Sequence, residues 1–324
     1  MAETDLHAIA ARYRQFAETE AAGSSPTYEA LTLAVATDEA SLAFLATLPF
    51  ARRQPNLLLA AVRWVAGLQS EPSAFLEALA HRQAEVRAVM LTRTTQTNEP
   101  ARCAVLMPVL ARLSQPLSLI EVGASAGLCL LPDRYGYSYG EHRLIPGQWP
   151  EAPVFACDVT GPAPLPLAHP HIVWRRGLDL NPLDVASEDA RLWLENLVWP
   201  EHTDRLRGLR QALALAAHEP PEVIAGNLLQ DLRPLAKQAP AEARHMVFHT
   251  AVVSYVSDRS ARERFAETVK DLGAVWISNE VPGTFPAIAA KTGPQPHPGW
   301  FLLAVDGEPV AWTHPHGRAL QWIA

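Results

Sequence analysis

The first part of the chain carries apolar positions at helical spacing and very little two-residue alternation. Leu6, Ile9 and Tyr13 recur three or four positions apart, which places them on one face of a helix. Pro55 directly precedes a long apolar run, a position that proline takes in the first turn of a helix. This pattern predicts a helical region over residues 1–115.

Short apolar runs replace the helical pattern in the rest of the chain. Helical stretches at 228–237 and 259–272 separate the last three of these runs, and strands that alternate with helices pair in parallel. The segment 300–323 predicts a hairpin that turns at Asp306-Gly307. The strand-like runs are 117–122, 172–178, 222–226, 246–253 and 274–281.

The two patterns together predict an α/β protein in two regions. Residues 1–115 form a helical cap, and residues 116–324 form a Rossmann-like domain with an open, mostly parallel sheet. In such sheets ligands bind beyond the carboxyl ends of the strands, near the point where the strand order reverses. The loop after the first strand, at 123–127, is therefore the leading candidate for a ligand-binding site.

Composition and charge exclude several classes of function. Of 324 residues, 48% are hydrophobic and 19% are charged, which excludes wholesale disorder. A formal net charge of −7 argues against a nucleic-acid-binding protein, because phosphate contacts require a basic face. Three scattered cysteines form neither a metal cage nor a disulfide framework, so we expect no metal. The chain shows no basic start followed by an apolar run and no long apolar span, which predicts a cytoplasmic protein without a membrane segment.

The loop after the first strand admits three interpretations. As a cofactor loop, its glycines and small residues let a ligand approach the backbone, and the N–H groups of a following helix would face that ligand. As a Gly-x-Ser-x-Gly elbow it would present Ser125 as the nucleophile of a serine hydrolase, with His249 or His314 as the base. That fold needs several strands before the elbow, and the preceding sequence predicts helices. The third interpretation is a tight turn without chemistry.

The run Glu121-Val122-Gly123-Ala124-Ser125-Ala126-Gly127 resembles the first motif of class I S-adenosylmethionine-dependent methyltransferases. The resemblance implies that Glu121 lies near the methionine part of the cofactor. It also implies that the cofactor contacts the small residues that follow, namely Gly123, Ala124, Ser125 and Gly127.

Several longer segments resemble an uncharacterised bacterial family, domain-of-unknown-function family 2332. The resemblance implies a methyltransferase-like fold but no established reaction. It also leads us to expect Gly-Asp at the end of the fourth strand, where this sequence has Gly226-Asn227, so the catalytic position there falls on Asn227 without a negative charge. The segments that carry it are PNLLLAAVRW (55–64), QTNEPAR (96–102), EVGASAGL and DRYGYSYG (121–140), RRGLDLNPLD (175–184), WLENLVWPE (193–201) and VFHTAVVSY (247–255).

Two aspartates are candidates for cofactor contacts. Enzymes of this fold place an acid at the end of the second strand against the ribose hydroxyls, and Asp158 follows a short apolar run at a suitable distance. Asp179 ends the strand-like run 172–178, where a methyltransferase places an acid near the adenine. The alternative for Asp179 is an ion pair with Arg175 or Arg176 that fixes the loop.

A polar cluster separates the last predicted helix from the one before it. Asn98, Glu99 and Arg102 could reach the mouth of the glycine loop, which predicts a substrate-binding role; a plain helix start is the alternative. His249 interrupts a buried strand near its carboxyl end, so it is either a general base or a satisfied core histidine. Tyr255 lies at a comparable strand end and is a further substrate-binding candidate.

These residues predict methyl transfer from S-adenosylmethionine to a small or medium-sized acceptor. Such chemistry depends chiefly on positioning and needs no obvious triad. Two alternatives stay open at this point. They are a catalytically silent nucleotide-binding protein of the same fold and a serine hydrolase that uses Ser125.

Overall fold

A computed structural model describes residues 3–145 and 149–324, and it divides into two compact units. Unit 1 comprises Met1–Thr97 and Arg191–Arg207, and unit 2 comprises Asn98–Ala190 and Gly208–Ala324. This division differs from the predicted boundary at 115/116, because the polar cluster and the helix after it belong with the sheet.

The α-helices follow one another through the first unit and then alternate with strands. They are α1 (Glu3–Phe16), α2 (Pro26–Val35), α3 (Glu39–Ala46), α4 (Pro55–Ala66), α5 (Pro72–His81), α6 (Gln83–Thr92), α7 (Cys103–Leu110), α8 (Glu188–Asn196), α9 (Thr203–His218), α10 (Leu232–Ala236), α11 (Arg259–Asp271) and α12 (Pro286–Ala289).

Unit 1 is built from helices with clear start signals. Ser25 accepts a hydrogen bond from the Tyr28 N–H at 3.1 Å, and Pro26 is the first residue of α2. Asp38 caps α3 in the same way through the Ser41 N–H at 2.8 Å. These caps satisfy backbone donors that a helix cannot pair internally. The helices enclose an apolar core that includes Trp193 from the second segment of the unit.

The strands of unit 2 form two sheets. They are β1 (Leu117–Val122), β2 (Gly136–Tyr139), β3 (His142–Leu144), β4 (Val154–Ala156), β5 (Asp158–Thr160), β6 (Ile172–Asp179), β7 (Val223–Ala225), β8 (Arg244–Thr250), β9 (Val275–Glu280), β10 (Phe301–Val305), β11 (Glu308–Thr313) and β12 (Ala319–Trp322).

The larger sheet makes this a mixed α/β protein with mostly parallel strands. Its nine strands have the order β5-β12-β11-β10-β9-β8-β1-β6-β7. Five of its eight neighbouring pairs are parallel, and three are antiparallel. The fully buried β1 lies between β6 and β8, so the carboxyl ends of β1, β6, β8 and β9 meet at one edge.

The hairpin prediction agrees with the structure. Strands β10 and β11 are antiparallel, and the turn between them contains Asp306 and Gly307, both with positive φ, as a tight hairpin requires. Because β11 runs antiparallel to β10, its end lies at the same edge as the ends of β1 and β8. None of the helices among the described residues has the length and apolar character needed to cross a membrane.

Candidate functional site

The glycine loop follows β1 and is shaped by packing. Gly123, Ser125 and Gly127 have φ values of 75°, 51° and 71°. A Cβ on Gly123 would lie 2.1 Å from Cγ2 of Val252, so only glycine fits there. The loop leads into a single 3-10 turn, Leu128–Leu130, and not into the α-helix that we expected.

The loop N–H groups have partners within the protein. The Ser125 N–H donates to Oδ2 of Asp179 at 2.8 Å, and the Ala126 N–H donates to Oδ1 of Asn98 at 3.0 Å. The Gly127 N–H donates to the Ala124 carbonyl at 2.7 Å. Each N–H has one proton to give, so these groups are already satisfied. This differs from the expected arrangement, in which they face a ligand; a ligand at this edge would be held by side chains.

Glu121 is the unusual side chain beside this loop. It lies in β1 opposite Gly177 of β6 and Phe248 of β8, and it is only 4% exposed. Its Oε2 has no hydrogen-bond partner among the residues that the structure describes. Burial raises the pKa of the Glu121 carboxyl well above its ordinary value, the nearby Cys129 adds to this, and Arg102 opposes it. The fold thus holds a buried carboxyl group with unsatisfied hydrogen-bonding capacity.

Asp179 ends β6, next to the loop. Its Oδ2 accepts from the Ser125 N–H, and its Oδ1 accepts from the Asn181 N–H at 2.7 Å. The alternative of an ion pair with the neighbouring arginines is wrong. Arg175 pairs with Asp133 at 2.7 Å, and Arg176 pairs with Glu222 at 2.8 Å.

The structure corrects the predicted placement of Asp158 at the end of the second strand. Asp158 begins β5, which pairs with β12 at the far edge of the sheet, and five strands lie between β5 and β1. Its side chain is exposed. The strand beside β1 is β6, so Asp179 ends the second parallel strand and takes the position in which we expected Asp158.

The structure also corrects the strand that Asn227 was predicted to follow. Asn227 follows β7, the third of the parallel strands in chain order, and not the fourth. Its Oδ1 accepts from the Leu229 N–H at 2.8 Å, and its own N–H donates to Oδ2 of Asp231 at 2.7 Å. Asn227 therefore shapes a turn, and Asp231 supplies the negative charge that this position lacks.

The polar cluster bridges three features of this edge. Nδ2 of Asn98 donates to Oγ of Ser125 at 2.8 Å, in addition to the bond from Ala126. Nη1 of Arg102 donates to the Thr250 carbonyl at the end of β8, and its Nε donates to the Pro315 carbonyl after β11. A bare helix start does not need these contacts.

Glu99 lies close to His316, a residue that the sequence interpretation did not single out. Its carboxylate is 5% exposed, and Oε2 lies 3.2 Å from Nδ1 of His316. The His316 side chain is 32% exposed, in the turn between β11 and β12. The sequence carries a signal for this in His-Pro-His-Gly after a strand, but only the fold brings that turn to the edge where β1 ends.

His249 has both ring nitrogens engaged in the core. Nδ1 lies 2.7 Å from Oε1 of Glu280, and Nε2 accepts from Nε1 of Trp276 at 3.0 Å. An indole N–H only donates, so Nε2 is unprotonated and Nδ1 carries the proton. Burial alone would raise the pKa of the Glu280 carboxyl, but hydrogen bonds from His249 and two backbone N–H groups hold it below its ordinary value. This geometry corresponds to the satisfied core histidine.

Tyr255 and Ser125 complete the set of predicted residues. Tyr255 lies in the 3-10 turn after β8 and is 85% exposed. Ser125 has the positive φ of a nucleophile elbow, and its Oγ accepts a hydrogen bond from the Asn98 amide. In the described part of the chain β1 is the first strand, so the strands that a hydrolase needs before its elbow are missing.

The geometry defines an α/β protein with a cluster of buried polar side chains at the carboxyl edge of a mostly parallel sheet. The chain belongs to the bacterial family described as "Uncharacterized protein conserved in bacteria (DUF2332)", whose profile it matches over residues 10–322. No curated protein and no solved structure matches it. The family description names no reaction.

Proposed function

We propose that the chain is an S-adenosylmethionine-dependent methyltransferase that acts on a small or medium-sized acceptor. The parallel strands β7-β6-β1-β8-β9 have the chain order third, second, first, fourth, fifth. This is the order of doubly wound nucleotide-binding sheets, whose ligands lie at the switch point between the first and fourth strands. Here that point lies between β1 and β8, next to the glycine loop.

The unpartnered carboxyl of Glu121 carries the proposal. A buried polar group without a partner costs stability, about 1–3 kcal/mol, so its retention needs a reason. The ammonium group of the methionine part would supply the missing partner and favour the ionised carboxylate. Asp179 fits the ribose hydroxyls, because each of its oxygens accepts one N–H and keeps a further lone pair.

When bound, S-adenosylmethionine supplies an electrophilic methyl group on a positively charged sulfur. The chain's own part is to orient the acceptor and to remove its proton. His316 is suited to the second task, since its ring is partly exposed and its Nδ1 faces the buried Glu99 carboxylate at 3.2 Å. A buried carboxylate at that distance stabilises the protonated form of an imidazole through its negative charge.

Calorimetric titration with S-adenosylmethionine tests the cofactor assignment. The wild-type protein is expected to bind, and Glu121→Gln is expected to bind about tenfold more weakly or worse, because a charged hydrogen bond contributes about 1.5–3 kcal/mol. Glu242→Gln, at an exposed position, is the matched control and should bind as the wild type does. Absence of wild-type binding, or equal affinity in Glu121→Gln, would refute the proposal.

A second measurement separates a methyltransferase from a silent binding protein. The complex with methyl-labelled S-adenosylmethionine is incubated with a bacterial small-molecule extract. Labelled product that requires His316, and is lost in His316→Ala while cofactor affinity persists, supports catalysis. Binding without any labelled product would favour the nucleotide-binding protein that does not catalyse a reaction.

A further inference from the structure

A cavity of about 210 Å³ lies at the opposite end of β1 from the glycine loop. Ser118, the second residue of β1, lines it together with His245 near the start of β8. Strands rise about 3.3 Å per residue, so Ser118 lies about 16 Å from Gly123. The cavity is therefore separate from the candidate cofactor site, and nothing proposed for it depends on methyl transfer.

The walls of the cavity are largely apolar. Ile120 and Val247 lie two positions after Ser118 and His245 on their strands, so all four side chains share one face of the sheet. Leu272, which directly follows α11, also lines the cavity. A water molecule takes about 30 Å³ in the liquid, so the cavity has room for about seven waters or for an organic molecule of about seven non-hydrogen atoms.

The polar groups of the cavity are rich in hydrogen-bond donors. Oγ of Ser118 lies 2.7 Å from Nδ1 of His245. Whichever of these two atoms holds the shared proton, the pair keeps one further proton to donate, on the hydroxyl or on Nε2. Lys237 also lines the cavity, and the lining residues include neither aspartate nor glutamate. This combination favours an anion.

We propose that the cavity binds a short-chain monocarboxylate of about five carbon atoms, a size set by its volume. The carboxylate accepts hydrogen bonds from the Lys237 ammonium group and from the Ser118–His245 pair. The alkyl chain packs against Ile120 and Val247. A ligand of this kind matches both the hydrogen-bond donors and the apolar walls of the cavity.

Calorimetric titration with sodium pentanoate tests the proposal, with sodium chloride keeping the ionic strength constant. We expect one pentanoate per chain, and weaker binding of pentylamine, 1-pentanol and inorganic phosphate. Lys237→Gln should weaken pentanoate about tenfold or more, since it removes a charged hydrogen bond. Lys270→Gln, on the exposed face of α11, should leave the affinity unchanged.

A second variant tests the volume rather than the charge. Ala239 lines the cavity, so Ala239→Leu should fill part of it and abolish pentanoate binding while circular dichroism stays that of the wild type. Three results would overturn the proposal: no binding to the wild type, tighter binding of pentylamine than of pentanoate, or unchanged affinity in both Lys237→Gln and Ala239→Leu.

Discussion

At the scale of single residues, Glu121 and His249 show two ways to bury an ionisable group. His249 is fully buried but has a partner on each ring nitrogen. Glu121 is almost as deeply buried, yet its Oε2 has no partner in the described part of the chain. The first arrangement satisfies both ring nitrogens of the histidine, whereas an unpartnered buried carboxyl oxygen costs stability.

The raised pKa of Glu121 predicts how stability changes with pH. Above the ordinary value of 4.5 the unfolded chain releases this proton while the folded chain keeps it. The free energy of unfolding then falls as the pH rises, until the folded-state pKa is reached. Glu121→Gln cannot lose a proton, so it should be more stable than the wild type at neutral pH and about equal to it near pH 4.

Urea unfolding at about pH 4, 5.5 and 7 measures this difference. The control Glu242→Gln alters an exposed carboxyl and should give the same small difference from the wild type at each pH. A Glu121→Gln variant that is less stable than the wild type at pH 7 would contradict the prediction. Together with the calorimetry, the expected result separates loss of cofactor binding from loss of fold.

At the scale of elements, the turn between β11 and β12 packs against the segment Pro100–Arg102. Gly317 in this turn has φ +72°, and a Cβ there would lie 2.1 Å from the Ala101 carbonyl oxygen. Arg102 donates to the Pro315 carbonyl in the same turn at 2.8 Å. These contacts hold His316 beside Glu99, so the turn is part of the candidate site and more than a connection between strands.

Gly317→Ala should therefore destabilise the protein more than an equivalent change elsewhere. Gly140 also has a positive φ, +66°, but a Cβ there would meet nothing within 4 Å. Both alanine variants bear the strain of a left-handed backbone, about 1–2 kcal/mol. Gly317→Ala adds a clash with backbone, about 1–3 kcal/mol more. Denaturant unfolding measures the free energy of unfolding of both variants. Equal losses would show that the turn accommodates the added Cβ without further cost, which would contradict the prediction.

At the scale of the whole molecule, the core of unit 1 is completed by a distant segment. Trp193 is 3% exposed and donates from Nε1 to the Thr94 carbonyl at 3.0 Å. Its ring lies edge-on against Trp64 at 5.7 Å, and the Arg93 guanidinium lies 5.0 Å from its centre. A chain cut after residue 115 would leave this core without a major side chain.

Trp193→Ala should lower the free energy of unfolding by about 3–5 kcal/mol, because it opens a large cavity in a packed core. Leu192 precedes it in α8 and is 46% exposed, so Leu192→Ala should cost less than about 0.5 kcal/mol. Guanidinium unfolding of the two variants compares them directly. Similar losses for both would mean that 191–207 does not complete the core of unit 1.

Much of the architecture was predictable from local patterns. The helices before residue 97, the strands β1, β6, β7, β8 and β9, and the hairpin at Asp306-Gly307 follow from periodicity and turn residues. These signals lie within a few neighbouring positions, so they can be recognised from the sequence alone. Strands β3, β4 and β5 have three residues each and are too short to show a period.

The composition of the site was decided by tertiary structure. The sequence singled out Glu121, Asn98 and Asp179, because unusual polar residues stand out beside glycine or apolar runs. The sequence could not determine whether Asp158 or Asp179 ends the strand beside β1, since strand order depends on pairing between distant segments.

Partners at such distances lie beyond any local pattern. Asp179 meets Ser125 across 54 positions, and Arg102 meets Pro315 across 213. Local sequence patterns identified the candidate side chains, and the strand order of the folded sheet determined which of them lie in contact.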